Sequence, residues 1–247
     1  MEKILFASGK GGVGKSTAAV CLARALAKRQ KRVLLVDCDV GLRALDLLTG
    51  LGAGAVYSWL DLLAGNCTAA DALLTDAKTG VALLTAPNRL ETPVTQTAFS
   101  QMLAQCSADF DFCFLDAGAG LSDLLQVLGA AADKGGLVAT PDAVSARAAL
   151  SAAEALRAVL DDSRMRLLLN RYARGDVRCG AAKSADEMVD LTELRLLGAV
   201  PEDMYLRLLS QGEQPAQPAA DAFDRIARRL LGESVPFCEK KLKSVHF

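Results

Sequence analysis

Histidine is almost absent from this chain of 247 residues, and its one histidine, His246, is the penultimate residue. This scarcity excludes a histidine general base and a catalytic metal held by histidines. The seven cysteines are scattered and form no CxxC pair. Their spacing indicates small buried apolar residues in a reducing compartment, not a disulfide framework or a zinc site.

The sequence also lacks an excess of charge of either sign, and it lacks long apolar runs. The net charge is −1, which gives no sign of a nucleic-acid-binding face, so we expect no specific nucleic acid as a partner. No stretch of eighteen or more apolar residues occurs, so the sequence predicts no membrane-spanning helix. Apolar residues still make up 51% of the chain, enough for a core that needs neither disulfide nor metal.

Short apolar runs alternate along the chain with longer segments of helical period. This alternation predicts one doubly wound α/β domain over residues 1–235, followed by a short tail at 236–247. The sheet is expected to be mainly parallel and covered by helices on both faces. The predicted strands are 3–7, 32–37, 81–85, 110–116, 135–140, 165–170 and 196–200. The predicted helices are 16–29, 56–64, 95–108, 121–132, 143–160, 184–191, 203–211 and 219–231.

Residues 9–16 read GKGGVGKS, a full match to the phosphate-binding pattern GxxxxGK[ST]. Lys15 is expected to reach the β- and γ-phosphates of a nucleotide, and the Ser16 hydroxyl is expected to bind Mg²⁺. The pattern follows a predicted strand and opens a predicted helix, whose positive end would face the same anion. We therefore predict ATP and Mg²⁺ as cofactors. The predicted nucleotide contacts in this loop are Gly11, Gly12, Val13, Gly14, Lys15, Ser16 and Thr17.

Acidic residues follow two of the predicted strands. Asp39 comes just after the second strand and is predicted to orient the attacking water and to contribute to the metal site. Asp37, two residues earlier, is predicted to support it from behind. Asp116 ends an apolar strand, the pattern of a carboxylate that holds Mg²⁺, usually through water. Ser16, Asp39 and Asp116 are thus the predicted metal site.

A second lysine, Lys10, lies inside the loop, so that residues 10–17 read KGGVGKST. This segment resembles the signature KGGxGK[ST] of the MinD/ParA family of P-loop ATPases with a deviant Walker A motif. The resemblance implies that Lys10 crosses an ATP-bridged homodimer to the partner's nucleotide. It makes Lys10, Lys15 and Asp39 the expected catalytic residues. It also implies adenine contacts from Asn170 and Arg171 at a strand end, and from Pro201.

Within this family the chain resembles the MinD group over nearly its whole length. The resemblance includes GLRALDL at 41–47, YSWLDLL at 57–63 and VPEDMYLRLLSQGEQPA at 200–216. It implies a slow, dimer-dependent ATPase that is cytoplasmic and joins the inner face of the membrane when ATP-bound. Such a protein would position a partner in division-site selection. The implied partners are a MinC-like inhibitor and a MinE-like activator, or another positioning partner.

Two departures from the family pattern leave other functions open. Gly118 stands where the family usually has proline, and Ala148 and Ala149 follow a Ser-x-Arg segment where an acid is common. A catalytically weak, nucleotide-binding adaptor fits these departures better than an efficient enzyme. A flagellar-number regulator or a ParA-type positioning ATPase is a further alternative. The former usually carries an N-terminal extension, whereas the first predicted strand here starts at residue 3.

The tail at 237–247 reads FCEKKLKSVHF. Helical spacing would place Cys238, Leu242 and Val245 on one face, with lysines 240, 241 and 243 away from its centre. That arrangement predicts contact with an anionic membrane surface through a short amphipathic helix. A frayed, solvated end is an equal alternative, because a helix of this length is marginal in water.

Overall fold

A twisted sheet of eight strands forms the centre of the computed structural model, which describes residues 1–106 and 109–245. The strand order is β3-β4-β2-β5-β1-β6-β7-β8. All neighbouring strands run parallel except the edge pair, β3 and β4. The strands are β1 (Glu2–Ala7), β2 (Val33–Cys38), β3 (Leu74–Thr75), β4 (Ala82–Leu84), β5 (Phe112–Ala117), β6 (Lys134–Ala139), β7 (Met165–Tyr172) and β8 (Leu196–Pro201).

The central strands are buried on both faces, which explains their near-continuous apolar sequence. All six residues of β2 and all six of β5 are buried. Parallel sheets have this character because their crossover helices cover both faces. Aromatic rings fill the middle of the sheet, where Phe6 and Phe114 lie with their ring centroids 4.9 Å apart. The two acids of β2 and β5, Asp37 and Asp116, therefore lie on fully buried strands.

Helices cover the two faces of the sheet. On one face α1 packs against α10, and on the other α5, α6, α7 and α9 contact one another in succession. Right-handed crossovers that proceed toward opposite edges of the sheet produce this division. The α-helices of the described residues are α1 (Lys15–Ala27), α2 (Ala44–Thr49), α3 (Trp59–Leu63), α4 (Ala69–Ala72), α5 (Gln96–Gln105), α6 (Asp123–Ala131), α7 (Ala143–Leu156), α8 (Arg174–Arg178), α9 (Ala185–Thr192) and α10 (Gln217–Leu230).

The predicted doubly wound α/β fold is confirmed, and all seven predicted strands are present. The sequence pattern missed four short elements, β3, α2, α4 and α8. The helix predicted at 56–64 begins only at Trp59, because Ser58 and Asp61 form a capping box at its start. The segment predicted as a helix at 203–211 is a 3₁₀ helix, Met204–Gln211. Residues 107 and 108 of the helix predicted at 95–108 lie outside the described residues.

The C-terminal tail lies against the body of the domain. It contains one 3₁₀ turn, Glu239–Lys241, instead of the helix that the spacing predicted, and Leu242 is buried in the core. His246 and Phe247 lie outside the described residues. Among the helices that the structure describes, none combines the length and the apolar character needed to cross a membrane.

Candidate nucleotide site

The glycine-rich loop connects the end of β1 to the start of α1, as the sequence predicts. Gly14 precedes α1 in the left-handed conformation, with φ of 86°, and the first turn of the helix carries no acid. A Cβ at Gly14 would overlap the side-chain amide of Asn170. The loop thus approaches the end of β7 as closely as only glycine allows. The Asn170 Nδ2 donates a hydrogen bond to the Val13 carbonyl oxygen at 2.8 Å.

Lys15 and Asp116 form a buried ion pair at the base of this loop. The Lys15 Nζ lies 2.6 Å from the Asp116 Oδ1, and the two side chains are 6% and 0% exposed. The same ammonium donates to the Ser16 Oγ at 3.3 Å. The second carboxylate oxygen, Asp116 Oδ2, is buried and has no hydrogen-bond partner among the described residues. A buried acceptor of this kind needs a further donor, which a metal-bound water would supply.

Asp37 lies beside Asp116, because the two residues are in register on the neighbouring strands β2 and β5. Burial, reinforced by the nearby Asp116 carboxylate, raises the pKa of Asp37 to about 7. Its two carboxylate oxygens accept hydrogen bonds from the backbone N–H groups of Asp39 at 3.0 Å and Leu45 at 2.9 Å. Asp37 therefore fixes the chain that leaves β2 and carries Asp39.

Asp39 faces the cavity above the loop. Burial raises its pKa, while the charge of Lys15 opposes that rise. The cavity brings together most of the residues predicted to contact the nucleotide; its lining includes Gly11, Gly12, Val13, Gly14, Lys15, Ser16, Thr17 and Asp39. The oxygen donors of Ser16, Asp39 and Asp116 are the chemical type that Mg²⁺ prefers.

These residues fit Mg²⁺ bound together with a nucleotide. No cluster of three or more His, Cys, Asp or Glu side chains that could hold a metal occurs within residues 1–106 and 109–245. Mg²⁺ needs no such cluster, because it usually keeps several waters and takes one or two protein ligands plus substrate phosphates. The unpartnered Asp116 Oδ2 and the hydroxyl of Ser16 match that requirement.

A second cavity adjoins the first at Gly14 and Thr17. It lies between the ends of β7 and β8, and its lining includes Asn170, Arg171, Pro201, Glu202 and Asp203. The three residues predicted to contact adenine are therefore brought together next to the phosphate loop. Arg171 adopts a left-handed backbone with φ of 56°, which is unusual for a residue other than glycine and is frequent at ligand sites.

The loop after β2 is held by contacts that the sequence pattern did not reveal. The Trp59 Nε1 donates to the carbonyl oxygen of Asp37 at 2.9 Å, and the indole is completely buried. Arg43 precedes α2 in the left-handed region and pairs with Asp46. The only sequence signal for α2 is the pair of leucines around Asp46, too short a pattern to indicate a helix.

Lys10 is exposed at the mouth of the site, near the start of α7. Desolvation acts to raise the pKa of Asp142, the N-cap of α7, but hydrogen bonds from Thr140 and Ser145 and the charge of Lys10 hold it below its usual value. Ala148 lies in the second turn of α7. Its carbonyl group packs against Gly9 so closely that a Cβ added at Gly9 would overlap the Ala148 oxygen. The exposed ammonium of Lys10 is free to reach outward from the domain.

The segment after β5 contacts both the loop and Asp39. The backbone N–H of Gly120 donates to the Ser8 carbonyl oxygen at 3.1 Å. A Cβ at Gly118 would lie 3.3 Å from the Asp39 Oδ1, so any larger residue there would press on that carboxylate. Glycine at position 118 therefore leaves Asp39 less confined than the proline typical of the resembling family.

The parallel sheet, the glycine loop that opens α1 and the acids at the ends of β2 and β5 define a P-loop nucleotide-binding protein. Comparison with known proteins specifies this class further. Residues 4–216 match the CobQ/CobB/MinD/ParA nucleotide binding domain. The chain belongs to this family, which includes the MinD/ParA ATPases.

Its relatives include septum site-determining MinD proteins. The chain is 35% identical to that of Bacillus subtilis over 243 residues, covering 95% of this chain and 91% of the relative. It is 34% identical to that of Synechocystis over 245 residues, covering 96% and 91%. Among solved structures, the MinC:MinD cell division protein complex of Aquifex aeolicus superposes with a TM-score of 0.88 at 32% identity, covering 97% of this chain and 99% of that one. The expected resemblance to the MinD group is confirmed.

Proposed function

We propose that this protein is a MinD-type ATPase that binds Mg-ATP, dimerises in response, and positions a partner at the inner face of the membrane in division-site selection. The observation that carries this proposal is the convergence of Lys15, Asp116 and Asp39 at the phosphate loop, with Lys10 exposed beside them. Lys15 and the loop backbone would bind the phosphates, and Ser16 and Asp116 would hold Mg²⁺. Mg²⁺ neutralises charge on the phosphates when bound.

Asp39 orients the attacking water in this proposal. Its raised pKa keeps it a better proton acceptor than a surface aspartate, and its place in the cavity wall directs it toward the phosphate end. Lys10 completes the site of the second subunit from outside, as an arginine finger does in other P-loop enzymes. Hydrolysis by such a shared site is slow in the monomer and rises on dimerisation.

A second copy of the chain would meet the face that carries the nucleotide site. Two large apolar side chains that line the nucleotide cavity, Leu42 and Leu47, are exposed, which supports the burial of the face in a dimer. The Aquifex aeolicus relative was solved in a MinC:MinD complex. We propose that this chain likewise takes a MinC-like inhibitor, together with a MinE-like activator or another positioning partner.

Membrane association would involve the tail at 236–247, which follows the ATPase domain at 1–235. Lys240, Lys241 and Lys243 are exposed and suit anionic headgroups. Leu242 is 2% exposed, so the tail must leave the domain before this side chain reaches lipid. Two tails on one dimer would bind more firmly than one through their raised effective concentration, and this gain must exceed the free energy that keeps each tail docked in the ATP-bound monomer.

Phosphate release from Mg-ATP, with and without anionic vesicles, tests this function. Turnover is expected in the wild type and a loss of about 100-fold or more in Asp39→Ala, since orienting groups contribute that order. Asp190→Asn, an exposed change on α9, is the matched control and should retain activity. Co-sedimentation with vesicles should be stronger with ATP than with ADP. Absence of ATP-dependent sedimentation would remove the membrane part of the proposal.

The observation on Gly118 favours a second function, a nucleotide-binding adaptor with little turnover. Glycine leaves Asp39 without the contact that a larger residue would make. If the wild type binds Mg-ATP but shows no hydrolysis with or without vesicles, the adaptor function is the correct one. Gly118→Ala would then be expected to raise turnover, because the added Cβ confines Asp39.

A further inference from the structure

The C-terminal segment from Glu239 to Val245, here called the strap, contacts the ends of β7 and β8, the two strands that flank the second cavity. On the β7 side, the Tyr172 hydroxyl donates to the Glu239 Oε1 at 2.8 Å. On the β8 side, the Val245 N–H donates to the Glu202 carbonyl oxygen at 2.9 Å, and the Met204 N–H donates to the Val245 carbonyl oxygen at 3.2 Å. The strap therefore joins the two strand ends between which the proposed base site lies.

The sheet itself does not join these strand ends regularly. The pairing of β7 with β8 shifts register between Leu169 and Tyr172, so the ladder is interrupted alongside Asn170 and Arg171. The left-handed backbone of Arg171 belongs to this irregularity. Strand ends without regular ladder bonds need other partners to hold their geometry. After this gap the Glu202 N–H donates to the Tyr172 carbonyl oxygen at 3.3 Å, and the strap adds a second connection between these residues, through the Tyr172 hydroxyl and the Glu202 carbonyl oxygen.

The strap is fixed in place by its own anchor. Leu242 is buried in the hydrophobic core between the two polar contacts, while the flanking lysines are exposed. The phenol of Tyr172 is itself buried, and burial together with the Glu239 carboxylate raises its pKa, so it stays protonated and remains a donor. Val245 bonds to the backbone of Glu202 and Met204, the two neighbours of Asp203. The Asp203 carboxylate accepts hydrogen bonds from the N–H groups of Tyr205 and Ala216, and so links the strap to the 3₁₀ helix that follows.

We propose that the docked strap positions the base-binding cavity, so that Glu239 and Val245 act as positioning residues for the nucleoside part of ATP. The inference rests on the proposed binding of ATP at this site. The three hydrogen bonds of the strap described above lie at Tyr172, next to the lining residue Arg171, at Glu202, which lines the cavity, and at Met204, and not at the phosphate loop. Its effect is therefore restricted to ligands that carry a base, and affinity for a bare phosphate chain does not depend on it.

Equilibrium binding of Mg-ATP and of inorganic tripolyphosphate to full-length variants tests this proposal. In Glu239→Ala and Tyr172→Phe we expect the affinity for ATP to fall roughly tenfold, within the range usual for coupled sites, and the affinity for tripolyphosphate to stay unchanged. Glu239→Gln keeps an acceptor for the Tyr172 hydroxyl and should restore ATP binding. Lys243→Ala, an exposed change in the same segment, is the control.

Several results would overturn the proposal. Equal weakening of ATP and tripolyphosphate would mean that the strap only stabilises the fold, and unchanged affinity for both would mean that it does not position the cavity. Leu242→Ala gives a second, independent release of the strap and must show the same selectivity for the base. If the wild type fails to bind ATP while it still binds tripolyphosphate, the proposed function itself is rejected, and the positioning role with it.

Discussion

The Lys15 ammonium and the Asp116 carboxylate lie 2.6 Å apart at the base of the nucleotide cavity, and their side chains are 6% and 0% exposed. The lysine expected to bind phosphates is thus held by the acid expected to bind Mg²⁺. A nucleotide that binds Lys15 would compete with Asp116 for this ammonium, and Mg²⁺ would neutralise the carboxylate that the lysine leaves. Binding of ATP and binding of Mg²⁺ would therefore be linked, because ATP would draw Lys15 away from Asp116 and Mg²⁺ would neutralise the carboxylate left unpaired.

Removal of the carboxylate from this pair is expected to destabilise the nucleotide-free protein. Asp116→Asn leaves the buried ammonium without its partner, which costs about 3–5 kcal/mol in the free energy of unfolding. The low end is expected, because the Asp37 carboxylate lies on the neighbouring strand. Urea unfolding without nucleotide measures the change, with the exposed Asp190→Asn as control. Equal stability of Asp116→Asn and the wild type would contradict the ion pair.

Gly14→Ala is expected to impair nucleotide binding more than stability. The left-handed backbone costs about 1–2 kcal/mol for a residue with a Cβ, and the new atom also overlaps the Asn170 amide that closes the loop. Weaker ATP binding by roughly tenfold or more is expected, equivalent to at least 1.4 kcal/mol. Isothermal titration measures it.

Gly180→Ala is the matched control for that change. Gly180 has a similar backbone, with φ of 79°, and a Cβ there meets nothing within 4 Å. It should lower stability by a comparable strain and leave ATP affinity unaltered. Similar losses of affinity in both variants would show that general strain, not closure of the loop onto Asn170, is responsible.

The capping box at the start of α9 predicts a specific pH dependence. Hydrogen bonds from Lys183 and Ser184 lower the pKa of Glu187 from 4.5 to about 2. Its stabilising contribution is therefore complete above pH 4.5 and is lost as the pH falls from 4.5 toward 2. The difference in unfolding free energy between wild type and Glu187→Gln should shrink over this window. A difference that is constant with pH would rule out the capping carboxylate as its source.

The sheet and the phosphate site could be predicted because each follows from local sequence. Strands such as β2 and β5 are apolar at successive positions, and the loop at 9–16 matches a phosphate-binding pattern whose glycines permit backbone conformations that other residues rarely adopt. Parallel order then places the ends of these strands, and their acids, at one edge. The side-chain roles predicted for this edge remain predictions until a ligand is bound.

The parts that escaped prediction depend on contacts between distant residues. The sequence predicts Lys15 as a phosphate-binding residue and Asp116 as a metal-binding residue, but it does not predict the ion pair between them. The helical spacing of its apolar residues predicts an amphipathic helix for the tail. The burial of Leu242 and the backbone bonds of Val245 favour an extended path instead, and neither is visible in a local pattern. Short elements such as α2 are set by such contacts as well.

The most direct test of the shared catalytic site is hydrolysis by a mixture of Lys10→Ala and Asp39→Ala subunits, each inactive alone. In a mixed dimer, one site combines an intact Asp39 with the partner's intact Lys10. An equimolar mixture should therefore regain about a quarter of wild-type turnover, because half of the dimers are mixed and each has one complete site. No recovery on mixing, with both variants folded and dimeric, would contradict a Lys10 that acts across the dimer.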